Sequence, residues 1–241
     1  MTSKPSVCVA TCTYSGKHYA FKEWWKAITE LTYSNIKEIL IVDNTADNGN
    51  YARKLRRLTN GKAKVLRAPR LSNSRDTLSA SQNMIREYLI ERDYDYWMSI
   101  ESDVIVPKNA IEKLMRWYKP VVGGLYEIGH VNKTGRRYCV FMTHPKPGNL
   151  NGTRVISAQE HEQLKSLNEG LFKVHGCGIG CTLIRRDIFK KYVMWTDERF
   201  TNKHSDVYFY MDLWNNKVPV YIDVSVKCEH DNSDWSMISD R

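Results

Sequence analysis

Two carboxylates stand one residue apart at the predicted end of a buried strand, in the sequence Glu101-Ser102-Asp103. Residues 94–100, before them, are mostly apolar or aromatic, which is typical of a strand inside a sheet. Side chains alternate along a strand, so Glu101 and Asp103 can point to the same side. Neighbouring carboxylates repel each other unless a cation or a proton intervenes. Oxygen ligands favour Mg2+ or Mn2+, and the alternative is a solvated acidic turn.

Apolar segments alternate with helical patterns through the first half of the chain. We expect strands at 6–13, 38–43, 63–68, 94–100 and 119–126, and helices at 21–33, 50–58, 77–92 and 107–118. Strands separated by helices of about 10–15 residues form βαβ units and a parallel sheet. Ligands of such sheets bind beyond the carboxyl ends of the strands. The predicted fold class is therefore α/β, with a mostly parallel central sheet flanked by helices.

The second half of the chain is more polar, and we expect a smaller antiparallel element there. The predicted elements are a strand at 136–142, a long loop at 143–168, a strand at 181–185, helices at 186–192 and 205–216, and a strand at 218–224. Neither an internal repeat nor a low-complexity linker divides the sequence. We therefore expect a single domain over residues 1–241.

The net charge of +9 indicates an anionic partner, such as a nucleotide, a nucleic acid or another polyanion. The densest basic segment is 53–70, but the spacing at 51–58 is that of a solvated helix face. A nucleic-acid-binding module is an alternative, disfavoured because acids cluster at strand ends and no basic-aromatic sheet motif is present.

The cellular location is predicted from what the sequence lacks. The longest apolar segments are far shorter than the ~20 residues of a membrane helix, and the segment 7–10 is too short for a signal peptide. We expect a soluble, cytoplasmic protein. The six cysteines form no CxxC pair, so we expect buried free thiols rather than a zinc finger.

The sequence also lacks the usual phosphate-binding loops. No GxGxxG follows the first strand, and no GxxxxGK[ST] is present. A bound diphosphate would therefore need another counter-charge. A metal ion on Glu101 and Asp103 would supply it.

The order of the polar segments resembles the GT-A glycosyltransferases, and within them the inverting enzymes related to bacterial polysaccharide synthases. These enzymes open with a strand ending in a Thr-rich turn (8–14 here), continue with a strand ending in a base-reading Asp (41–44), and carry an Arg-Asn-like pair before the acidic motif (82–83). The resemblance implies a nucleotide-sugar site formed by Thr11, Thr13, Tyr14, Asp43, Asn83 and Ser102.

The resemblance also implies a metal site and a base. The acidic motif is usually DxD, and here Glu101 replaces the first Asp. A metal, Mn2+ or Mg2+, is expected on Glu101, Asp103 and the tail residue His230. Asp206, at the start of a helix, matches the catalytic base of the family, although Ser205 stands where the family has Glu. Asp206 could instead be an ordinary first-turn acid, and Ser205 could cap the helix.

A glycine-rich segment at 175–180 resembles the loop that lies near the acceptor in the family. With it we expect an acceptor region formed by His175, Gly176, Gly178 and Trp195. The resemblance divides the domain into a nucleotide-sugar-binding half, 1–106, and an acceptor-binding half, 107–241. Neither the acceptor, which could be a glycan, a protein or another polymer, nor the oligomeric state is indicated.

The function implied is a metal-dependent glycosyltransferase that moves a sugar from a nucleotide-diphosphate sugar, UDP-linked by preference, to an acceptor hydroxyl with inversion. A nucleotidyltransferase is the alternative enzyme. It would need a glycine-rich basic loop after the first strand, and the segment 13–17, Thr-Tyr-Ser-Gly-Lys, meets this need only in part. A glycosyltransferase acting on a polyanionic acceptor also stays open.

Overall fold

The structure, a computed structural model, describes residues 4–128, 136–141, 154–199 and 203–231. Apolar and β-branched segments form the strands. In chain order these are β1 (Val7–Thr13), β2 (Ile36–Asp43), β3 (Lys64–Arg67), β4 (Tyr96–Ile100), β5 (Val104–Ile105), β6 (Val121–Leu125), β7 (Glu127–Ile128), β8 (Arg137–Tyr138), β9 (Val140–Phe141), β10 (Leu171–Val174), β11 (Gly176–Cys177), β12 (Cys181–Arg185), β13 (Val220–Lys227) and β14 (Glu229–His230).

Helices connect most of the strands of the first half. A 3-10 helix, Ser15–Ala20, follows β1. The α-helices are α1 (Phe21–Thr29), α2 (Asn50–Leu58), α3 (Ser74–Glu91), α4 (Ala110–Met115), α5 (Ala158–Ser166), α6 (Arg186–Lys191) and α7 (Ser205–Asn215). None of these described helices is both long enough and apolar enough to span a bilayer.

The central sheet has eight strands in the order β10-β13-β6-β12-β4-β1-β2-β3. Six strands run in one direction, whereas β12 and β10 run antiparallel to their neighbours. Small antiparallel pairs form beside it, between β9 and β11, β5 and β14, and β7 and β8. The predicted fold class, a mostly parallel α/β sheet flanked by helices with a small antiparallel element, is therefore confirmed.

The core lies on the two faces of this sheet. Every residue of β4 is buried, as expected of a strand covered on both faces. Helix α1 contributes Trp24 and Ile28, which are four residues apart and lie on the same buried face. Helix α3 contributes Ile85 and Leu89 in the same way. These contacts hold the ends of the central strands in fixed positions.

Most predicted elements are found, two of them at the predicted bounds: the helix at 50–58 and the strand at 181–185. The strand at 136–142 is wrong as a single element, because β8 pairs with β7 whereas β9 pairs with β11. The helix at 107–118 is shorter than predicted. Strand β10 was not predicted.

The long loop at 143–168 is wrong in its described part, because helix α5 lies there. Ser157 Oγ accepts from the backbone N–H of Glu160, and the Glu160 carboxylate accepts from the backbone N–H of Ser157. This capping box satisfies two N–H groups that would otherwise lack partners at the start of the helix. Residues 143–153 lie outside the described residues.

Candidate functional site

The carboxyl ends of three neighbouring strands, β1, β2 and β3, lie at one edge of the sheet. Thr13, the last residue of β1, pairs with Asp43, the last residue of β2, and Asp43 pairs with Arg67 of β3. A cavity of about 780 Å3 lies beyond this edge. Its lining includes Thr11, Thr13, Tyr14, Lys17, Glu101 and His204. The volume is within the 300–1,000 Å3 range that is usual for small-molecule sites.

Asp43 and Ser102 support the cavity from behind, because both are buried and neither contributes to its lining. Oδ1 of Asp43 accepts from the backbone N–H of Thr45 at 2.9 Å and from its hydroxyl at 2.6 Å. Burial raises the pKa of Asp43. The Ser102 hydroxyl accepts from the Thr13 hydroxyl at 2.9 Å. The two residues that follow β2, Asn44 and Thr45, line the cavity, whereas Asp43, which the sequence predicted there, does not.

Asn83 is engaged elsewhere. Its carboxamide donates to the carbonyl of Met194 at 2.6 Å and accepts from the backbone N–H of Met194 at 2.9 Å. Both ends of the side chain therefore hold the segment after α6. The neighbouring residue, Gln82, lines the cavity instead. The predicted contact of Asn83 with the nucleotide sugar stays a prediction.

The acidic motif forms a turn and not a continuation of the strand. The backbone N–H of Val104 donates to the carbonyl of Glu101 at 2.9 Å, which closes a turn directly after β4. The expectation that Glu101 and Asp103 point to the same side of a strand is therefore wrong, because the two residues lie in a turn. Glu101 lines the cavity, whereas Asp103 is fully buried beneath it.

Lys17 lies against Asp103, a contact that sequence reasoning missed. Nζ of Lys17 is 2.9 Å from Oδ1 of Asp103. Burial lowers the pKa of Lys17, but the charges of Asp103 and Glu101 outweigh burial and raise it. Burial raises the pKa of Asp103, but the positive charge of Lys17 and the hydrogen bond with His230 outweigh burial and lower this pKa to about 2. The carboxylate of Asp103 is therefore ionised and paired with an ammonium group at neutral pH.

His230 lies on the other oxygen of the Asp103 carboxylate. Nδ1 of His230 is 2.7 Å from the carbonyl of Glu127, and a carbonyl only accepts, so Nδ1 carries a proton. Nε2 then faces Oδ2 of Asp103 at 3.4 Å. Burial lowers the pKa of His230, but the Asp103 carboxylate raises it more. A carboxylate oxygen and an imidazole nitrogen thus lie 3.4 Å apart, and a backbone carbonyl orients the imidazole.

Two of the three predicted metal ligands are therefore brought together, and their chemistry fits a divalent cation. Asp103 offers an oxygen and His230 a nitrogen, whereas Glu101 lies at the cavity. Within the ranges that the structure describes, no three His, Cys, Asp or Glu side chains form a metal-binding group. A metal ion held by Asp103 and His230 would complete its coordination with water or substrate oxygens, as Mg2+ usually does.

Asp206 lies in the first turn of α7, half-buried. Its Oδ1 accepts from the backbone N–H of Val207 at 2.9 Å. Burial raises the pKa of Asp206 to about 6; His204 opposes this shift and Glu101 reinforces it. A carboxyl group with this pKa is ionised at pH 7 and still accepts a proton readily, which suits a general base.

Ser205 does not cap α7, so that alternative is wrong. The cap position belongs to His204, whose side chain makes no capping hydrogen bond. The Ser205 hydroxyl instead donates to Oε1 of Gln82 at 2.5 Å. This bond ties the start of α7, and with it Asp206, to a residue of the cavity wall.

The two glycines of the predicted acceptor region are buried and closely packed. A side chain at Gly178 would collide with the Tyr126 hydroxyl, and one at Gly176 would lie 2.8 Å from the ring of Tyr210. Close packing alone therefore explains why glycine stands at both positions. A contact of these glycines with an acceptor stays a prediction. From the same segment, Ile179 lines the cavity.

The two remaining acceptor candidates are held by ring contacts. The His175 ring lies 4.7 Å from the ring of Trp214. Trp195 packs against Tyr208, with ring centroids 4.4 Å apart, and its indole N–H donates to Asp212 at 2.8 Å. Neither His175 nor Trp195 contributes to the cavity lining. Their proposed contact with an acceptor stays a prediction.

Comparison with solved structures identifies the fold. The structure of protein A197 from STIV matches 93% of this chain and 85% of that chain, with a TM-score of 0.50 and 17% sequence identity. The structure of GalNAc-T7 with UDP, GalNAc and Mn2+ matches 94% of this chain, with a TM-score of 0.62 and 12% identity. This chain spans 44% of that protein. No protein-family model and no curated protein matches the sequence. The chain therefore has a GT-A fold.

Proposed function

We propose that this protein is a glycosyltransferase that moves a sugar from a nucleoside-diphosphate sugar, UDP-linked by preference, to an acceptor hydroxyl with inversion. The observation that carries the proposal is the cavity at the carboxyl edge of the sheet, where Glu101 and the Thr-rich end of β1 line one space. The GT-A fold supports the reaction class. The UDP, GalNAc and Mn2+ in the GalNAc-T7 structure support the class of donor.

The donor nucleotide would lie along the ends of β1 and β2. Thr11, Thr13 and Tyr14 line this space, and Asn44 and Thr45 lie beside them in the cavity wall. Asp43 acts indirectly, because its carboxylate fixes the backbone and the hydroxyl of Thr45. In the proposed enzyme, 1–106 would supply most of the donor site, to which Ile179 and His204 also contribute, and 107–241 would supply the acceptor site.

The leaving group is the nucleoside diphosphate, whose negative charge grows as its bond to the sugar breaks. A divalent ion, Mn2+ or Mg2+, held by Asp103 and His230 near Glu101 would stabilise that charge as a Lewis acid. Asp103 and His230 are buried, so this charge compensation would act where water screens little.

Asp206 is the proposed base. Its carboxylate takes the proton of the acceptor hydroxyl while the acceptor oxygen forms a bond to the anomeric carbon. The bond from that carbon to the β-phosphate oxygen breaks, and its electron pair leaves with the diphosphate. Attack opposite the leaving group inverts the anomeric centre. Glu101 assists indirectly, because its charge raises the pKa of Asp206.

A panel of nucleotide sugars tests the proposal. We expect one of them to raise the melting temperature, and to release its nucleoside diphosphate slowly by hydrolysis when no acceptor is present. Asp206→Asn should retain the thermal shift and lose the release. A protein that is stabilised by no nucleotide sugar, with or without Mn2+, would contradict the proposal.

The nucleotidyltransferase alternative is favoured by one observation, the basic residue Lys17 in the turn after β1. Its products distinguish it from the leading proposal. A nucleotidyltransferase releases pyrophosphate from a nucleoside triphosphate, whereas a glycosyltransferase releases a nucleoside diphosphate from its donor. Incubation with the four nucleoside triphosphates and a pyrophosphate assay separates the two.

A further inference from the structure

We infer that Lys17 is a diphosphate-binding residue, a fixed cation of the donor site that acts whether or not a metal ion is bound. The inference rests on the proposed function and deepens it, because it names the group that receives the leaving phosphates. The starting point is position. Lys17 lines the same cavity as Thr13, Tyr14 and Glu101 and has 19% of its side chain exposed.

The ammonium group is held in place from below. Nζ of Lys17 is 2.9 Å from Oδ1 of Asp103, which is fully buried. An ammonium group has three N–H donors, and among the described residues this hydrogen bond uses one of them. The remaining donors are available to oxygens of a ligand at the exposed side of the group.

The backbone that carries Lys17 is also fixed at the edge of the sheet. The N–H of Lys17 donates to the carbonyl of Tyr14 at 3.0 Å. The N–H of Ser15 donates to the hydroxyl of Thr45 at 2.9 Å, and Thr45 is itself held by Asp43. The turn after β1 is therefore attached to the end of β2. A side chain that starts from such a turn reaches its ligand with little loss of conformational freedom.

Lys17 offsets part of the negative charge that an anionic ligand would meet in the cavity. Glu101 and Asp103 contribute two negative charges near Lys17, which contributes one positive charge. A diphosphate entering the cavity meets the Glu101 carboxylate, so a cation has to lie close by if the ligand is to bind. The other basic groups of the lining are Arg70, which is exposed, and His204. Lys17 is the one anchored to a buried carboxylate.

Two ligands and two metal conditions test the inference. UDP and uridine are titrated into the whole protein by calorimetry, with EDTA or with Mn2+. For the wild type we expect UDP to bind in EDTA and to bind more tightly than uridine. In Lys17→Met the affinity for UDP should fall at least about tenfold in both conditions, whereas the affinity for uridine should stay within about twofold. Lys17→Arg should retain most of the UDP affinity.

Lys17→Met leaves a buried carboxylate without its partner, so its folding must be controlled. The double variant Lys17→Met/Asp103→Asn removes both charges of the pair. In EDTA, where Asp103 holds no metal ion, this variant should still bind uridine and lose the preference for UDP. Lys22→Met, five residues along the chain with 93% of its side chain exposed, is the matched control and should behave as the wild type.

Three outcomes are decisive. Undiminished UDP binding by Lys17→Met would overturn the inference. UDP binding that requires Mn2+ in the wild type, together with tighter Mn2+ binding by Lys17→Met, would overturn it as well, because Lys17 would then only occupy the place of the ion. Both results leave the proposed glycosyltransferase intact. The proposed function itself fails if neither UDP nor any other nucleotide of the donor panel binds under either condition.

Discussion

The hydroxyl of Ser205 lies 2.5 Å from Oε1 of Gln82, across 123 residues of sequence. This hydrogen bond joins α7, which carries Asp206, to α3, which contributes Gln82 to the cavity wall. The position of the proposed base is therefore coupled to the wall of the donor site. Asp206 follows Ser205 directly, so a shift of the start of α7 also moves the Asp206 carboxylate.

We expect Ser205→Ala to lower turnover more than donor binding. The loss of one buried hydrogen bond should cost about 1–3 kcal/mol of unfolding free energy, and the freed helix start should displace the Asp206 carboxylate. Urea unfolding measures the first effect, and steady-state kinetics with saturating donor measures the second. Ser166→Ala is the control, because the Ser166 hydroxyl donates to Gln163 on an exposed helix end. An unchanged kcat in Ser205→Ala would contradict the coupling.

The pH dependence of transfer should report Asp206. The pKa of Asp206 is raised to about 6 by burial, and the base must be ionised. We therefore expect kcat/KM to rise with pH and to level off above about pH 7. In Asp206→Asn the rate should fall by about 10²–10⁴ and this rise should disappear. A rise that persists in Asp206→Asn would assign it to another group.

The same residue should lower stability at neutral pH. The pKa of Asp206 in the folded protein lies above the ordinary value of 3.8, so folded Asp206 binds its proton more tightly than unfolded Asp206. The stability gained from protonation is present below about pH 4 and is lost as pH rises to about 6. At pH 8, Asp206→Asn should stabilise the protein by about 1–3 kcal/mol. Thermal unfolding at pH 4 and pH 8 gives the comparison, and no difference between the two pH values would contradict the shift.

Local patterns were sufficient to predict most of the fold. The alternation of apolar strands with helical segments predicts the parallel part of the sheet, and the edge at which Thr13 and Asp43 meet follows from strand direction alone. Helix α5 was missed because its segment is polar, although the capping box of Ser157 and Glu160 was readable in the sequence. Strand β10 has only four residues, too few for a clear period.

The candidate site was less predictable because its contacts join distant parts of the chain. Lys17 and Asp103 are 86 residues apart, and Asn83 and Met194 are 111 apart. Spacing within a motif cannot indicate which side chain of a pair turns into a cavity, and for this reason Asn83 was selected where Gln82 lines the wall. The sequence shows Lys17 in the turn after β1, but it does not indicate that Asp103 is the partner of Lys17.

Substituting Lys17 and substituting Asp103 should lower the free energy of unfolding by different amounts. Asp103 is fully buried, whereas Lys17 is partly exposed and stays close to Glu101. Removing one partner of a buried pair costs about 3–5 kcal/mol. We therefore expect Lys17→Met to destabilise the protein more than Asp103→Asn does, and the double variant to recover part of the loss. Urea unfolding at pH 7 measures all three.

The pair also predicts sensitivity to acid. Lys17 and His230 hold the pKa of Asp103 at about 2, below its ordinary value of 3.8. The stability from this shift is present above about pH 4 and is lost as pH falls to about 2. Asp103→Asn should remove that part of the acid dependence. An identical acid transition in Asp103→Asn and the wild type would contradict it.

Gly178 should tolerate no side chain, because the space beside it belongs to other residues. A methyl group there would collide with the Tyr126 hydroxyl and lie 2.6 Å from Sγ of Cys139. Overpacking costs about 1–3 kcal/mol, and the shift of the neighbouring Ile179 should also weaken donor binding. At Gly61 a methyl group meets nothing within 4 Å, and its φ of +70° alone should cost about 1–2 kcal/mol. Donor titration separates the two variants. Gly178→Ala should bind the nucleotide more weakly than the wild type, whereas Gly61→Ala should bind it as the wild type does. Equal affinities of Gly178→Ala and the wild type would disprove the link between Gly178 and the cavity.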